Sequence, residues 1–171
     1  MIFKKKLTVQ EGDLDDLDHV NNVRYVQWIQ DISKEHWQTL APKQMQKGIV
    51  WVVLNHNITY RSAAQLGDVL RIETHISDSE GATSHRIVEM FNDKTDQLLV
   101  HAVTKWCLIN SETQKPMRIS AEIKKVFDKG KAKNWKDLHS FESIFLYIVH
   151  LQTIVDQNHT FSMVNLQSLP I

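Results

Sequence analysis

Cysteine is almost missing from this chain: Cys107 is the single one among 171 residues, so no internal disulfide can form. Net charge is missing too, with 20 basic residues against 20 acidic ones. A dedicated nucleic-acid binder draws its affinity largely from neutralised phosphates, so the lack of a basic excess argues against that class. No apolar run approaches the ~20 residues that a membrane-spanning helix needs. The amino-terminal MIFKKKLTVQ lacks the apolar centre of a secretory signal, and a cytoplasmic protein is the expectation. Catalytic signatures are absent as well. No Gly-x-Ser-x-Gly elbow, phosphate-binding loop or His-Glu-x-x-His occurs, which removes serine hydrolase, NTPase and zinc protease chemistry. His56, His75, His85 and His101 are scattered over separate strand-like segments, so no metal is expected, and Cys107 reads as a small buried hydrophobe rather than a nucleophile.

What is present concentrates between Asp13 and Leu40. Asp13, Asp15, Asp16 and Asp18 crowd into six positions, and His19-Val20-Asn21-Asn22 leads from them into a helical pattern. Tyr25, Val26, Ile29, Ile32, Ser33, Trp37 and Leu40 recur with a period of about 3.6 residues, while Arg24, Gln27, Gln30, Asp31, Lys34 and Gln38 take the other side. The spacing predicts an amphipathic helix over 22–40, capped by Asn21 or Asn22 and stopped by Pro42. Acidic groups therefore stand at a helix start, where unpaired N–H groups and the macrodipole favour negative charge. Taken alone, four aspartates before a helix read as a solvated cap. Asp13 and Asp15 also begin like a calcium loop, but Leu17, Asp18 and Arg24 stand where that loop needs a ligand, a Gly and a Glu.

Alternating residues predict a half-buried strand over 2–11, with Lys5 on its apolar face. Residues 49–60, IVWVVLNHNITY, are apolar on both faces and predict a central strand. Further strands are expected over 69–76, 83–91 and 98–109, separated by turns at 65–68, 79–81 and 92–96. The pattern is a strand, a long helix, then an antiparallel series of four strands joined by short turns, an α+β arrangement whose sheet is covered by the one long helix. A short helix is expected over 120–129, capped by Ser120 with Ile123, Val126 and Phe127 inward. At this length the chain fits one domain, residues 1–129, with an appendage of 130–171. Four lysines mark the junction, from Lys129 to Lys136, and for the Lys-rich segment 124–136 a solvated linker is favoured over a site for CoA phosphates. After Lys136 no Lys or Arg occurs, and Phe141 to Val155 carry helical spacing that suits docking on the protein itself better than on a membrane.

The motif Asp13-Leu14-Asp15, three residues, His19-Val20-Asn21-Asn22, two residues, Tyr25 resembles that of the hot-dog fold acyl-CoA thioesterases of the 4-hydroxybenzoyl-CoA thioesterase-like superfamily. Tyr60, Gly67-Asp68, Trp106 and Lys115-Pro116-x-Arg118-Ile119 add to the likeness, which covers about residues 2–128. Two positions depart from the pattern. Ser120 stands where the family often has Pro, and Asp18 where it usually has Gly, a small residue or an amide. The resemblance implies a hot-dog fold: a long central helix wrapped by a five-stranded antiparallel sheet, with a short C-terminal helix. It also implies a homodimer or homotetramer with active sites at the interface between protomers.

By the same resemblance Asp15 holds the catalytic carboxylate position, and the N–H near Asn22 corresponds to the donor that polarises a thioester carbonyl. A thioester needs only an activated oxygen nucleophile and such a donor. Asp15 either attacks to give a mixed anhydride or serves as general base on water. His19 is expected to orient the turn or substrate, and Asn21 or Asn22 to cap the helix and position water. Tyr25 is assigned to substrate binding, with core packing as its plainer role. The expected activity is hydrolysis of an acyl-CoA or acyl-carrier-protein thioester without metal or redox cofactor, coenzyme A entering only as part of the substrate. The alternative is a hot-dog module that binds acyl-CoA or acyl carrier protein without cleaving it.

Overall fold

The computed structural model describes residues 2–128, which belong to a first compact unit, Met1–Lys131. The 129/130 boundary, the lysine-rich linker and the helix expected over 141–155 lie outside the described residues. Strand β1 (Phe3–Thr8) leads through a 3-10 turn, Glu11–Asp13, to helix α1 (Asn22–Leu40) and the short α2 (Lys43–Gln46). Strands β2 (Ile49–Tyr60), β3 (Val69–Glu80), β4 (Thr83–Asn92) and β5 (Leu98–Asn110) follow, and α3 (Ala121–Asp128) closes the order. All five strands pair antiparallel in one sheet of order β1-β3-β4-β5-β2. Among the described residues no helix is long and apolar enough to cross a membrane.

Helix α1 has the predicted bounds for the predicted reasons. Asn21 is the cap, its side chain accepting from the Val23 amide at 2.9 Å, and the chain leaves helical geometry at Ala41, before Pro42. Its buried stripe is broader than expected: Trp28 and His36 join Tyr25, Ile29, Ile32, Ser33 and Trp37, while Val26 and Leu40 are half-buried. The first strand is shorter than 2–11, and Lys5 leaves its apolar face by pairing with Glu35 of α1. Helix α3 forms with Ser120 accepting from Ile123 and with Ile123, Val126 and Phe127 buried. Cys107 is buried in β5.

Two expectations about the sheet are corrected. Strand β2 lies at an edge, not at the centre, and has no fully buried residue. Its second apolar face looks outward within this chain, with Val50 43% and Leu54 55% exposed. The last four strands are also not a simple series, because β2 pairs with β5 and β3 with β1. The connection between them is anchored at both ends: Arg61 and Ser62 donate to the Leu99 carbonyl, and Gly67 and Asp68 exchange bonds with Val9. It thereby runs from the β2 edge to β3, next to the opposite edge, and bonds on the way through Ala64 to Val20 and Tyr25 at the start of α1.

The inner face of the sheet is apolar at both ends and polar between. Tyr25, Ile29 and Ile32 pack on Leu70, Ile72, Val88, Met90, Val100 and Ala102 at one end. Trp37 and Leu108 pack with Ile119, Ile123, Val126 and Phe127 at the other. Ser33, His36, Thr74, Ser84, Arg86 and Thr104 are buried between the two patches.

Candidate active site

The acidic turn is a closed loop braced from several directions. Leu14 and Val20 form an antiparallel bridge, and inside it the Asp15 amide donates to the His19 carbonyl at 2.7 Å. Asp18 donates to the Asp15 carbonyl at 3.1 Å and takes φ 57°, the left-handed conformation that an L residue adopts at a cost. Asp and Asn tolerate it better than most. The unusual residue of the motif is thus explained by backbone geometry, since small and amide residues suit that position for the same reason.

The four aspartates separate by environment. Asp13 is 6% exposed and ties three segments together. One carboxylate oxygen accepts from Arg24 Nε at 2.6 Å, the other from the Gln10 amide at 2.9 Å, and its carbonyl accepts from the Asn21 amide at 2.9 Å. Asp13 is therefore a brace for the helix start. Asp16 and Asp18 are exposed. Asp15 is half-buried, and its Oδ1 accepts from the Leu17 amide at 2.9 Å and the His19 amide at 3.2 Å. Oδ2 has no hydrogen-bond partner among the described residues. One oxygen fixes the carboxylate while the other stays available.

His19 is half-buried, and its main chain closes the loop while its imidazole has no partner among the described residues. Asn21 is occupied as the helix cap, and Asn22 is the exposed first residue of α1. The Val23 amide is taken by the cap and the Arg24 amide by the Asn21 carbonyl. That leaves the Asn22 amide, which helix geometry provides with no internal acceptor. Tyr25 sits one turn further in, 2% exposed, its hydroxyl accepting from the Ala64 amide at 3.1 Å and its ring edge-on to Trp28. Burial raises its pKa, so the phenol stays protonated. Val20 donates to the Ala64 carbonyl at 3.0 Å, so the crossing segment is sewn to both the loop and the helix. Asp15, His19, Asn21 and Asn22 thus belong to one hydrogen-bonded turn, in which one Asp15 carboxylate oxygen and the Asn22 amide have no partner among the described residues. Such a turn offers a base or nucleophile in Asp15 and one oxyanion donor in the Asn22 amide. Among the described residues no group of His, Cys, Asp and Glu converges as a metal site.

A second feature is a cavity of about 490 Å³, bounded on one side by Gln27, Gln30, Asp31, Lys34 and Gln38 of α1 and on the other by β2, β4 and β5. No residue of the acidic turn lines it. Its wall includes Arg86, which the sequence pattern could have singled out. Ser84, Arg86, Val88 and Met90 alternate onto the inner face, so a full charge falls on the side of β4 that faces the core.

Residues 1–127 match the family model described as the acyl-ACP thioesterase N-terminal domain. Over 84 residues the chain is 25% identical to the chloroplastic palmitoyl-acyl carrier protein thioesterase of Gossypium hirsutum, a match covering 49% of this chain and 20% of that protein. The chain thus spans about a fifth of that relative's length. The solved YbaW probable thioesterase of Escherichia coli superposes with a TM-score of 0.65 at 25% identity, covering 74% of this chain and 96% of that one. A 1,4-dihydroxy-2-naphthoyl-CoA thioesterase of Synechocystis shares the fold, with a TM-score of 0.67 at 16% identity over 76% of this chain and 98% of that one.

Proposed function

The chain belongs to the acyl-ACP thioesterase N-terminal domain family, and from that premise we propose that it hydrolyses acyl thioesters to a free carboxylic acid and a thiol, with Asp15 as general base or nucleophile. The observation that carries this is the Asp15 carboxylate itself, fixed through Oδ1 by two amides and unpartnered at Oδ2. The thioester carbonyl oxygen sits against the Asn22 amide, where charge developing in the transition state is stabilised by roughly 2.7–4 kcal/mol per donor. As Oδ2 attacks, or draws a proton from the attacking water, the carbonyl becomes tetrahedral and the thiolate leaves; on the first route a water then cleaves the mixed anhydride to free acid and Asp15, and on either route the proton from water ends on the thiolate or the solvent. His19 lines the approach and orients the substrate; Asn21 holds the helix start in place. No metal or redox group takes part.

The curated relative acts, by its name, on a palmitoyl carrier protein, and a fold neighbour on an aryl-CoA. Both carriers present a thiol ester, so the substrate is an acyl group on CoA or on a carrier protein. The working assembly is a homodimer or a dimer of dimers, supported by the unpaired edge of β2 with Val50, Leu54 and Tyr60 exposed along it. Light scattering is expected to give two or four times the chain mass, and a single chain mass refutes the assembly. A panel of acyl-CoA and acyl-carrier-protein thioesters, followed by free thiol release, tests the activity. Binding without release across the panel favours a carrier-binding module instead.

A further inference from the structure

Arg86 is 4% exposed, yet no carboxylate pairs with it among the described residues. Among the described residues its only donating nitrogen is Nη1, which reaches His36 Nδ1 at 2.8 Å and Thr74 Oγ1 at 3.0 Å. The guanidinium carbon lies 5.6 Å from the centre of the Phe127 ring. His36 accepts this bond through Nδ1 and so carries its proton on Nε2. Burial, with Arg86 adding to it, pulls the imidazole pKa down to about 3, so at neutral pH His36 brings no charge of either sign. Burial lowers the Arg86 pKa to about 9, which keeps the guanidinium cationic at neutral pH.

Both hydrogens of Nη1 are committed, so the donors that remain are Nε–H and those of Nη2. Nε and Nη2 form the side-on edge of the guanidinium, whose two parallel N–H bonds match the two oxygens of a carboxylate. Arg86 belongs to the wall of the 490 Å³ cavity, a volume within the range of small-molecule sites. Trp51, Trp106, Phe127 and Ile76 give the wall around Arg86 its apolar part, and Gln27, Gln30, Asp31, Lys34 and Gln38 of α1 make the opposite side polar, with one charge of each sign. Three hydrogen-bonding atoms on its residues, Ser84 Oγ, Trp51 Nε1 and Trp106 Nε1, are buried without a partner among the described residues. A buried cation with its carboxylate-matching edge unpaired, beside the Trp51, Trp106 and Phe127 rings in a cavity wall, is an arrangement that core packing alone does not require.

We propose that this cavity is a binding site for an organic carboxylate, whose apolar body lies against Trp51, Trp106 and Phe127 and whose two oxygens pair with Nε and Nη2 of Arg86. Such a group has two sources. It is the acid that the proposed hydrolysis releases, or it is the distal carboxylate of a dicarboxylic acyl chain. The choice of source rests on the thioesterase assignment; the binding itself does not.

Calorimetric titration of the full-length protein with octanoate and with octan-1-ol tests the site without any turnover. Octanoate is expected to bind at least about tenfold more tightly than the alcohol, because only the carboxylate uses the charged fork. Arg86→Met is expected to abolish that preference, and Arg86→Lys to restore a minor part of it, since an ammonium is a point charge without the fork. Equal affinity for octanoate and octan-1-ol in the unmodified protein overturns the proposal, and so does undiminished octanoate binding in a folded Arg86→Met. The ligand pair needs no variant, so misfolding of a substituted protein leaves the test intact. Octanoyl-CoA and its ω-carboxylated counterpart then separate the sources. Faster release from the ω-carboxylated thioester identifies the distal carboxylate, and competitive inhibition by octanoate without that preference identifies the product acid. Octanoate binding with no thiol release from any thioester keeps the site and rejects the hydrolase assignment.

Discussion

Replacing Asp13 tests whether the acidic turn is held together as described. In Asp13→Ala the Arg24 guanidinium and the Gln10 amide both lose their acceptor, while the Asn21 amide keeps the residue-13 carbonyl. A hydrogen bond to a charged group contributes about 1.5–3 kcal/mol. The Gln10 bond counts nearly in full because the acceptor is buried. The Arg24 bond counts for less, since that side chain is 41% exposed and water takes over part of its role. A loss of about 3 kcal/mol follows, which for a domain of this size lowers the melting temperature by roughly 10 °C. Asp13→Asn is the sharper variant. Its amide has one oxygen for two donors, so an NH₂ must face either Arg24 Nε–H or the Gln10 N–H, and the amide is expected to recover only a small part of the loss. Thermal unfolding followed by circular dichroism measures both. A fall of less than about 2 °C in Asp13→Ala, or full stability in Asp13→Asn, refutes the bracing role.

Two further perturbations follow from the same geometry. Asp18→Val forces a β-branched residue into φ 57° and is expected to cost about 1–2 kcal/mol, whereas Asp18→Asn is expected to be neutral; equal melting temperatures remove the backbone explanation of that residue. His36 has a folded pKa of about 3 against 6.5 for the free side chain, so the unfolded chain binds the extra proton between those values. Its contribution to stability is complete above pH 6.5 and is lost as pH falls toward 3, with a slope of up to about 1.4 kcal/mol per pH unit. His36→Gln, which retains an acceptor for Arg86 and removes the titrating ring, is expected to flatten that limb of a stability profile from urea unfolding; an unchanged acid limb places the titration elsewhere.

Much of the molecule is legible in local pattern because local pattern causes it. The period of the apolar stripe, the Asn21 cap and Pro42 specify α1 without help from the rest of the chain. Strand positions follow from alternation and turn residues in the same way, but not every end: β3 runs on to Glu80, past the expected 76 and into the expected turn, and β1 stops at Thr8. The place of β2 does not, because sheet order depends on which distant edges meet. Apolar residues on both faces mark a strand covered on both sides, and for β2 that reasoning fails within one chain, where Val50 and Leu54 remain exposed. The motif led to the turn and, by resemblance, to Asp15, yet spacing alone gave no physical reason to divide the aspartates. Asp13 is distinguished by burial and three partners, Asp15 by an oxygen left free, and Asp18 by a backbone angle. Arg86 was readable from strand parity alone. What parity does not contain is the distribution of its donors, which comes from His36 fifty residues away along the chain.

The central claim is that the free oxygen of Asp15 performs the chemistry, and Asp15→Asn probes it with the least disturbance. The Asn side-chain oxygen accepts from the same Leu17 and His19 amides, so the loop stays closed while the base or nucleophile is lost. Thiol release from the best thioester of the panel is predicted to fall by roughly 10²–10⁴-fold, with the melting temperature essentially unchanged. Turnover close to that of the unmodified protein contradicts the account.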